Sequence, residues 1–431
     1  MNDYKPRIVD KELQLRLEAF GATLIVGPKW CGKTTTAEQQ AKSVIKMQDP
    51  DNKDYYLSTL QVKPSLLLEG ERPRLIDEWQ VAPELWDAIR HSVDQEGTEG
   101  LYILTGSNTT VDDSQIKHTG IGRISRMKMY PMSLFESGES NGKISLNELF
   151  YNKNYNIDGI RSTLTIEDLI FAACRGGWPS SLNKKSKEAQ LFIANDYLDG
   201  ICQTEISSID GVERDPNKTR LLLRSYARNI STIAKSTSII ADINSKAETL
   251  SAKTYSSYVN ALEKLFVIED IPAWCPAIRS ATAIRSSYKR EFVDPSIAVA
   301  ALGVNPTYFH TDLKTFGFIF ETLCARDLKV YSQSNKGELS YYRDRYDLEA
   351  DFVLHLKDGR YALIECKLGG KEIEKGASHL IKIRDLIREE NIKEKQVPIP
   401  EPDLMIVLTG GEIAYRRPDD VYVIPIGCLK D

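Results

Sequence analysis

Along the first third of the chain, short apolar runs alternate with segments whose apolar residues recur at helical spacing. ATLIVGP (22–28) reads as a strand entering a glycine turn, and TTTAEQQAKSVIK (34–46) as the helix after it. PRLIDEW (73–79) reads as a second strand, APELWDAIRHSVD (82–94) as a helix and LYILTGS (101–107) as a third strand. Strands alternating with helices in this way build a parallel α/β sheet. A polar stretch, ESGESNGKISLNE (136–148), then reads as a loop or linker.

From about Leu149 to Leu302 the pattern is mostly helical. LTIEDLIFAACRGGWP (164–179) is a helix broken by Gly176, Gly177 and Pro179, and TRLLLRSYARNIS (219–231) is another. LSAKTYSSYVNALEKLFVIEDI (250–271) begins as a helix and ends as a strand, an order that resembles a winged helix. From about Tyr308 the order is helix, three strands, helix, strand: DLKTFGFIFETLCARDLKV, SYYRD, EADFVLHL, RYALIECKL, KGASHLIKIRDLIREE and DLMIVLTG. We divide the chain into an α/β core (1–138), a helical lid and linker (139–205), a winged-helix segment (206–302) and a C-terminal α/β domain (303–431). A length of 431 residues suits two or three such domains.

Gly27-Pro28-Lys29-Trp30-Cys31-Gly32-Lys33-Thr34 matches G-x-x-x-x-G-K-[ST], with a strand before it and a helix after it. Glycine at 27 and 32 permits backbone angles that a Cβ forbids, so successive N–H groups turn inward on phosphate. Lys33 supplies a mobile cation for the β- and γ-phosphates, Thr34 a hydroxyl for Mg²⁺, and Thr35 a contact to the α-phosphate. The pattern therefore points to ATP with Mg²⁺ in a P-loop NTPase fold. LIDE (75–78) ends the second strand in two carboxylates. With that strand expected beside the first, Asp77 would hold Mg²⁺ through water and Glu78 would orient or deprotonate the attacking water. The third strand ends in TGSN (105–108), where Ser107 either helps place that water or belongs to an ordinary turn.

Composition narrows this picture. Hydrophobic residues at 42% and charged residues at 27% describe a globular chain. The apolar runs are too short to span a bilayer, and the mixed-charge N-terminus is no signal peptide, so we expect no membrane association. Seven scattered cysteines without zinc spacing read as reduced thiols in a cytoplasmic protein. The five histidines show no ligand spacing either. A net charge of −5 excludes a globally basic DNA-coating surface, so nucleic-acid binding must come from local patches.

GPKWCGKT, LIDEWQVAPELW and LTGSN, then Gly122-Arg123 and YPMSLFE (130–136), resemble a prokaryotic family of AAA-type ATPases with a C-terminal domain of unknown function. The match continues through RGGWP (175–179), FVDPSI (292–297), EADFVLHL and IECKL, nearly the whole chain in order. The resemblance implies a homo-oligomer in which Arg123 contacts a phosphate, in cis or from a neighbouring subunit, as an arginine finger. It also gives Arg175 a sensing role; the plain alternative for both is a surface arginine.

Asp351 opens one strand, and Glu365 and Lys367 lie two apart on the next, facing one side, while Cys366 faces the other. This is similar to the restriction-endonuclease-like pattern of a carboxylate followed by Glu-x-Lys, with Ala350 where a proline is usual. The resemblance implies Asp351, Glu365 and Glu321 around Mg²⁺, with Lys367 activating water against a phosphodiester of DNA or RNA. A fold kept without catalysis, as an interaction module for a protein or nucleic acid, is the other reading. Arg220, Arg224 and Arg228 make one basic helical stripe, and 271–290 carries Arg279, Arg285, Lys289 and Arg290 without an acid. These face either nucleic-acid phosphates or acids of a neighbouring segment. Trp79, Trp86 and Trp178 read as structural anchors.

Overall fold

A computed structural model describes residues 4–106, 120–245, 249–275, 287–344, 346–393 and 398–431. Its contacts divide the chain into two compact units: Met1–Pro131 with Thr204–Arg214 and Tyr258–Val267, and Met132–Gln203 with Asp215–Ser257 and Ile268–Asp431.

The first unit is built on five parallel strands: β1 (Ala22–Val26), β2 (Ser43–Lys46), β3 (Arg74–Asp77), β4 (Tyr102–Gly106) and β5 (Ile124–Lys128). They run in the order β2-β3-β4-β1-β5. Consecutive residues face opposite layers. Leu24, Ile76 and Leu104 join the core containing Trp79, Trp86 and Ile89. Ile25, Leu75 and Ile103 join the layer filled by Val9, Leu13 and Leu17 of helix α1 (Val9–Ala19). Those three lie four apart on one helix face, and each contributes about 1.5–3 kcal/mol by leaving water.

Two expectations are corrected here. The segment 34–46 is not one helix: α2 covers Lys33–Glu38, and 43–46 is β2. This edge strand is short and buries only Ile45, so its pattern cannot be told from a continuing helix. The acid-bearing strand β3 does not lie beside β1, because β4 is inserted between them and pairs with both.

In the second unit, helices include α3 (Ile166–Arg175), α4 (Lys187–Gly200), α5 (Pro216–Arg228) and α6 (Ser236–Asn244). Asp215 caps α5, accepting from the backbone N–H of Asn217 and Lys218, with Pro216 in the first turn. After helix α7 (Ala252–Lys264), a narrow antiparallel ladder pairs Ile268 with Phe292 and Ile271 with Lys289. Helix α8 (Pro295–Leu302) and the long α9 (Leu313–Tyr331) follow.

The C-terminal sheet has six strands: β6 (Glu338–Arg343), β7 (Glu349–His355), β8 (Tyr361–Lys367), β9 (Leu404–Thr409), β10 (Tyr415–Arg416) and β11 (Val421–Pro425). The order is β10-β11-β9-β8-β7-β6, with β8, β9 and β11 parallel and the rest antiparallel. Helix α10 (Ile373–Ile392) packs Ala377, Leu380 and Ile383 against Leu363, Met405 and Val423. The stretch 136–148 is not a plain loop: Ser133 caps a short helix, Leu134–Ser137, with a capping box to Glu136, and Ile144–Ser145 pairs with Leu429–Lys430. Among the described residues no helix is long and apolar enough to cross a membrane.

Candidate functional site

The glycine turn after β1 has the backbone its motif requires. Gly27 stands at φ +153° and Gly32 at φ +102°, and a Cβ on Gly27 would come within 2.2 Å of the Met129 carbonyl oxygen. Trp30 is also left-handed, at φ +64°, and its side chain is half exposed. Cys31 is buried against the Met129 carbonyl. Arg7 ties the turn to the end of β5, donating at 2.8 Å to the carbonyls of Cys31 and Tyr130. Sequence reasoning missed this arginine, which stands outside every motif. Lys29 pairs with Glu205 at 2.6 Å, and Thr35 is exposed on the first turn of α2. The Lys33 ammonium is buried and among the described residues touches no carboxylate; it donates to the carbonyls of Gly27 (3.0 Å) and Pro28 (2.8 Å).

The strand order explains the next layer of the site. Because β4 lies between β1 and β3, Thr105 stands opposite Asp77 and its hydroxyl donates to Asp77 Oδ1 at 2.5 Å. The Thr34 hydroxyl donates to the same oxygen at 2.7 Å. Asp77 thus faces the glycine turn across β4, which lies between β1 and β3. Thr105 was within a quoted motif but had no role assigned.

Glu78 holds a left-handed backbone (φ +55°, ψ +47°) at the end of β3. That conformation costs a non-glycine residue about 1–2 kcal/mol, and such outliers gather at functional sites. Its carboxylate accepts from the Gln80 side-chain amide, whose own Oε1 is buried without a hydrogen-bond partner among the described residues. Trp79 and Trp86 lie beneath, rings 4.9 Å apart, as anchors. Ser107, Arg279 and Arg285 lie outside the described residues.

Arg123 is half exposed, follows the two left-handed glycines Gly120 and Gly122, and donates to Asp94 at 2.7 Å. That bond holds the Asp94 carboxyl below its usual range. Arg175 is buried and bound to Glu139 and to the Gly176 carbonyl. The motifs around it meet in one polar knot. Gly177 N–H and the Arg326 guanidinium both donate to Asp294, and Trp178 donates to Ser296. Leu134 N–H donates to Asp327, which in turn holds Arg326.

The C-terminal candidates converge. Glu365 and Lys367 project from one side of β8 toward α10, where Gly376 leaves them room; a Cβ there would sit 3.3 Å from the Lys367 side chain. The Lys367 ammonium touches the Glu365 carboxylate and lies 3.3 Å from Asp351 Oδ2, which also accepts the Cys366 N–H at 2.7 Å. His379 Nδ1 is 3.2 Å from Glu365 Oε1. A second lysine completes the cluster. Lys289 Nζ touches the Glu321 carboxylate, donates to the Asp351 carbonyl at 3.1 Å and lies 4.0 Å from Asp351 Oδ1. Glu291 stands nearby, accepting from Ser231 and Thr322, each at 2.8 Å.

Burial shapes the protonation of this cluster. Loss of water pushes Glu321 up to about 8, helped by the Asp351 charge, and pushes Glu291 up to about 7. Glu365 is raised by burial and by Asp351. Asp351 is held below its usual range: burial opposes its charge, but Lys289, Lys367 and the Cys366 N–H outweigh it. Both lysines are raised, because the carboxylates outweigh their own desolvation. A divalent ion does not fit the cluster as arranged. Among the described residues no three His, Cys, Asp or Glu are placed to share an ion, and an ammonium stands where one would bridge Glu321 and Asp351.

The basic stripe of α5 is largely neutralised, Arg220 by Asp199 at 2.6 Å and Arg228 by Asp242 at 2.8 Å. Arg290 is buried against Asp270. All seven cysteines are free thiols.

Residues 19–137 match the family model described as an AAA domain. Residues 166–308 match a domain of unknown function, DUF8612, and residues 316–429 match another, DUF4143. No curated protein matches the chain. Among solved structures, a Walker-type ATPase of Pyrococcus abyssi is similar at 14% identity, covering 69% of this chain and 99% of its own, with a TM-score of 0.42.

Proposed function

We propose that the chain binds ATP with Mg²⁺ at the turn between β1 and α2 and hydrolyses it. The observation that carries this reading is the line Thr34–Asp77–Thr105: two hydroxyls meet one carboxylate beside a glycine turn whose lysine is free of carboxylates. The fit to magnesium is chemical, since Thr34 and Asp77 present the hard oxygen ligands this ion takes beside phosphate. When bound, the ion neutralises phosphate charge. Gly27 to Thr34 would wrap the phosphates, Lys33 would leave its carbonyls for the β- and γ-oxygens, and Thr35 would reach the α-phosphate. Glu78 would orient the water, with Ser107 beside it. Arg123 would leave Asp94 to act as a finger, supplied in trans by a homo-oligomer. The test is nucleotide titration and turnover of Lys33→Ala and Glu78→Gln. The first should lose binding and the second should keep binding and lose turnover; wild-type turnover by Glu78→Gln ends the assignment.

For the C-terminal domain we favour a switch or scaffold, an ATP-dependent module that contacts nucleic acid or protein without cutting. The observation behind it is that each carboxylate of the nuclease-like set is already in contact with a lysine. Incubation with Mg²⁺ or Mn²⁺ and plasmid, single-stranded DNA or RNA tests it. Cleavage by the wild type that disappears in Asp351→Ala and Lys367→Ala would restore the nuclease reading.

A further inference from the structure

We propose that Lys289 is the resident cation of the C-terminal carboxylate cluster and keeps divalent metal out of it. Lys289 does not belong to the domain whose acids it meets. It lies in the segment matched by DUF8612, whereas Glu321, Asp351 and Glu365 lie in the segment matched by DUF4143. Its backbone is fixed on both sides. It exchanges two 2.9 Å bonds with Ile271, and its neighbour Arg290 donates to the Thr232 carbonyl and accepts from Ser231 N–H. The side chain is buried, with the Phe352 ring 4.7 Å from the ammonium, so the charge is aimed at the cluster rather than at water.

Four carboxylates (Glu291, Glu321, Asp351 and Glu365) face three ammoniums (Lys289, Lys367 and, toward Glu291, Lys329), with His379 beside Glu365. Removal of Lys289 leaves two cations against four acids in a site that water screens poorly. Glu365 Oε2 is buried and touches the Lys367 ammonium, with no further hydrogen-bond partner among the described residues. A hard divalent ion is the chemical class that such carboxylates take up once the ammonium between Glu321 and Asp351 is gone.

The test is a Mn²⁺ titration, read by electron paramagnetic resonance, of the nucleotide-free full-length chain. Wild type, Asp351→Asn, Lys289→Ala, Lys289→Met and Lys289→Ala with Asp351→Asn are compared; methionine keeps the buried volume if alanine destabilises the fold. Both single Lys289 variants should gain one Mn²⁺ per chain, bound at least about tenfold more tightly than by wild type, and the added Asp351→Asn should abolish the gain. Wild-type binding that Asp351→Asn removes would overturn the proposal, and so would identical titrations of wild type and Lys289→Met. The inference concerns the same domain as the non-cleaving reading, yet the two fail separately: DNA cleavage ends that reading, and the metal titration alone ends this one.

Discussion

The two lysine-bearing sites of this chain are built on opposite principles. At the glycine turn after β1, Lys33 is buried and, among the described residues, hydrogen-bonds to carbonyls alone, and Asp77 to hydroxyls alone. In the C-terminal sheet, Lys289 and Lys367 sit directly on Glu321, Asp351 and Glu365. Carbonyls let a lysine go at the cost of a modest hydrogen bond, whereas a buried carboxylate stripped of its cation keeps an uncompensated charge. The first site is poised to exchange its contacts for a ligand, and the second is closed upon itself.

The largest effect that tests this contrast is on turnover. Loss of a positioned base costs about 10²–10⁴-fold in rate, so Glu78→Gln should lower ATP turnover by that order while leaving nucleotide affinity within a few-fold. A phosphate-release assay alongside fluorescent-nucleotide binding separates the two. An equal fall in both would mean that Glu78 shapes the site rather than acts in it.

The next effect is on stability. Lys289→Ala should destabilise the chain by about 3–5 kcal/mol, the cost of leaving a buried carboxylate unpaired. Lys33→Ala should cost less, about 1.5–3 kcal/mol, since hydrogen bonds from an ammonium to carbonyls are lost but no carboxylate is left unpaired. Urea unfolding of both variants without nucleotide reads this directly. Equal losses would erase the distinction between the sites.

A smaller effect follows from the raised acids. Glu291 goes from 4.5 to about 7, and Glu321 from 4.5 to about 8, both through burial first. The folded state therefore holds protons that the unfolded state has released. This stabilisation is complete below about 4.5 and is lost as pH rises through 7 to 8. The urea midpoint should fall across that window. The groups facing Glu291 are Lys289, Lys329, Ser231, Thr322 and Glu321, and Glu321 is shifted in the same direction as Glu291. Glu291→Gln should flatten part of the fall; an unchanged profile would assign the slope elsewhere.

What the sequence made legible follows the range of the interactions. Strand, glycine turn and lysine are contiguous, so GPKWCGKT located its own site, and the Glu-x-Lys spacing put Glu365 and Lys367 on one face of β8. Strand order is not local. One buried isoleucine marks β2, and nothing in PRLIDEW says that LYILTGS will come between it and β1. Lys289 was the least legible, because the stretch 271–290 around it carries no acid and its partners Glu321 and Asp351 lie 32 and 62 positions away. The final parallel strand, VYVIP, follows a short β10 and went unread.

The smallest expected effect lies on α5 and sharpens the contrast from outside both sites. Arg220 and Arg228 are exposed and paired with Asp199 and Asp242. Exposed pairs contribute about 0–1 kcal/mol each, so either alanine variant should shift the urea midpoint little and less still at high salt. A DNA-binding stripe would behave differently: each lost phosphate contact lowers the slope of log affinity against log salt by about 0.9. We expect that slope to be unchanged in the double variant, measured by fluorescence anisotropy with duplex DNA. Those two arginines already have their anions within the chain, as Lys289 does, whereas Lys33 meets no carboxylate among the described residues.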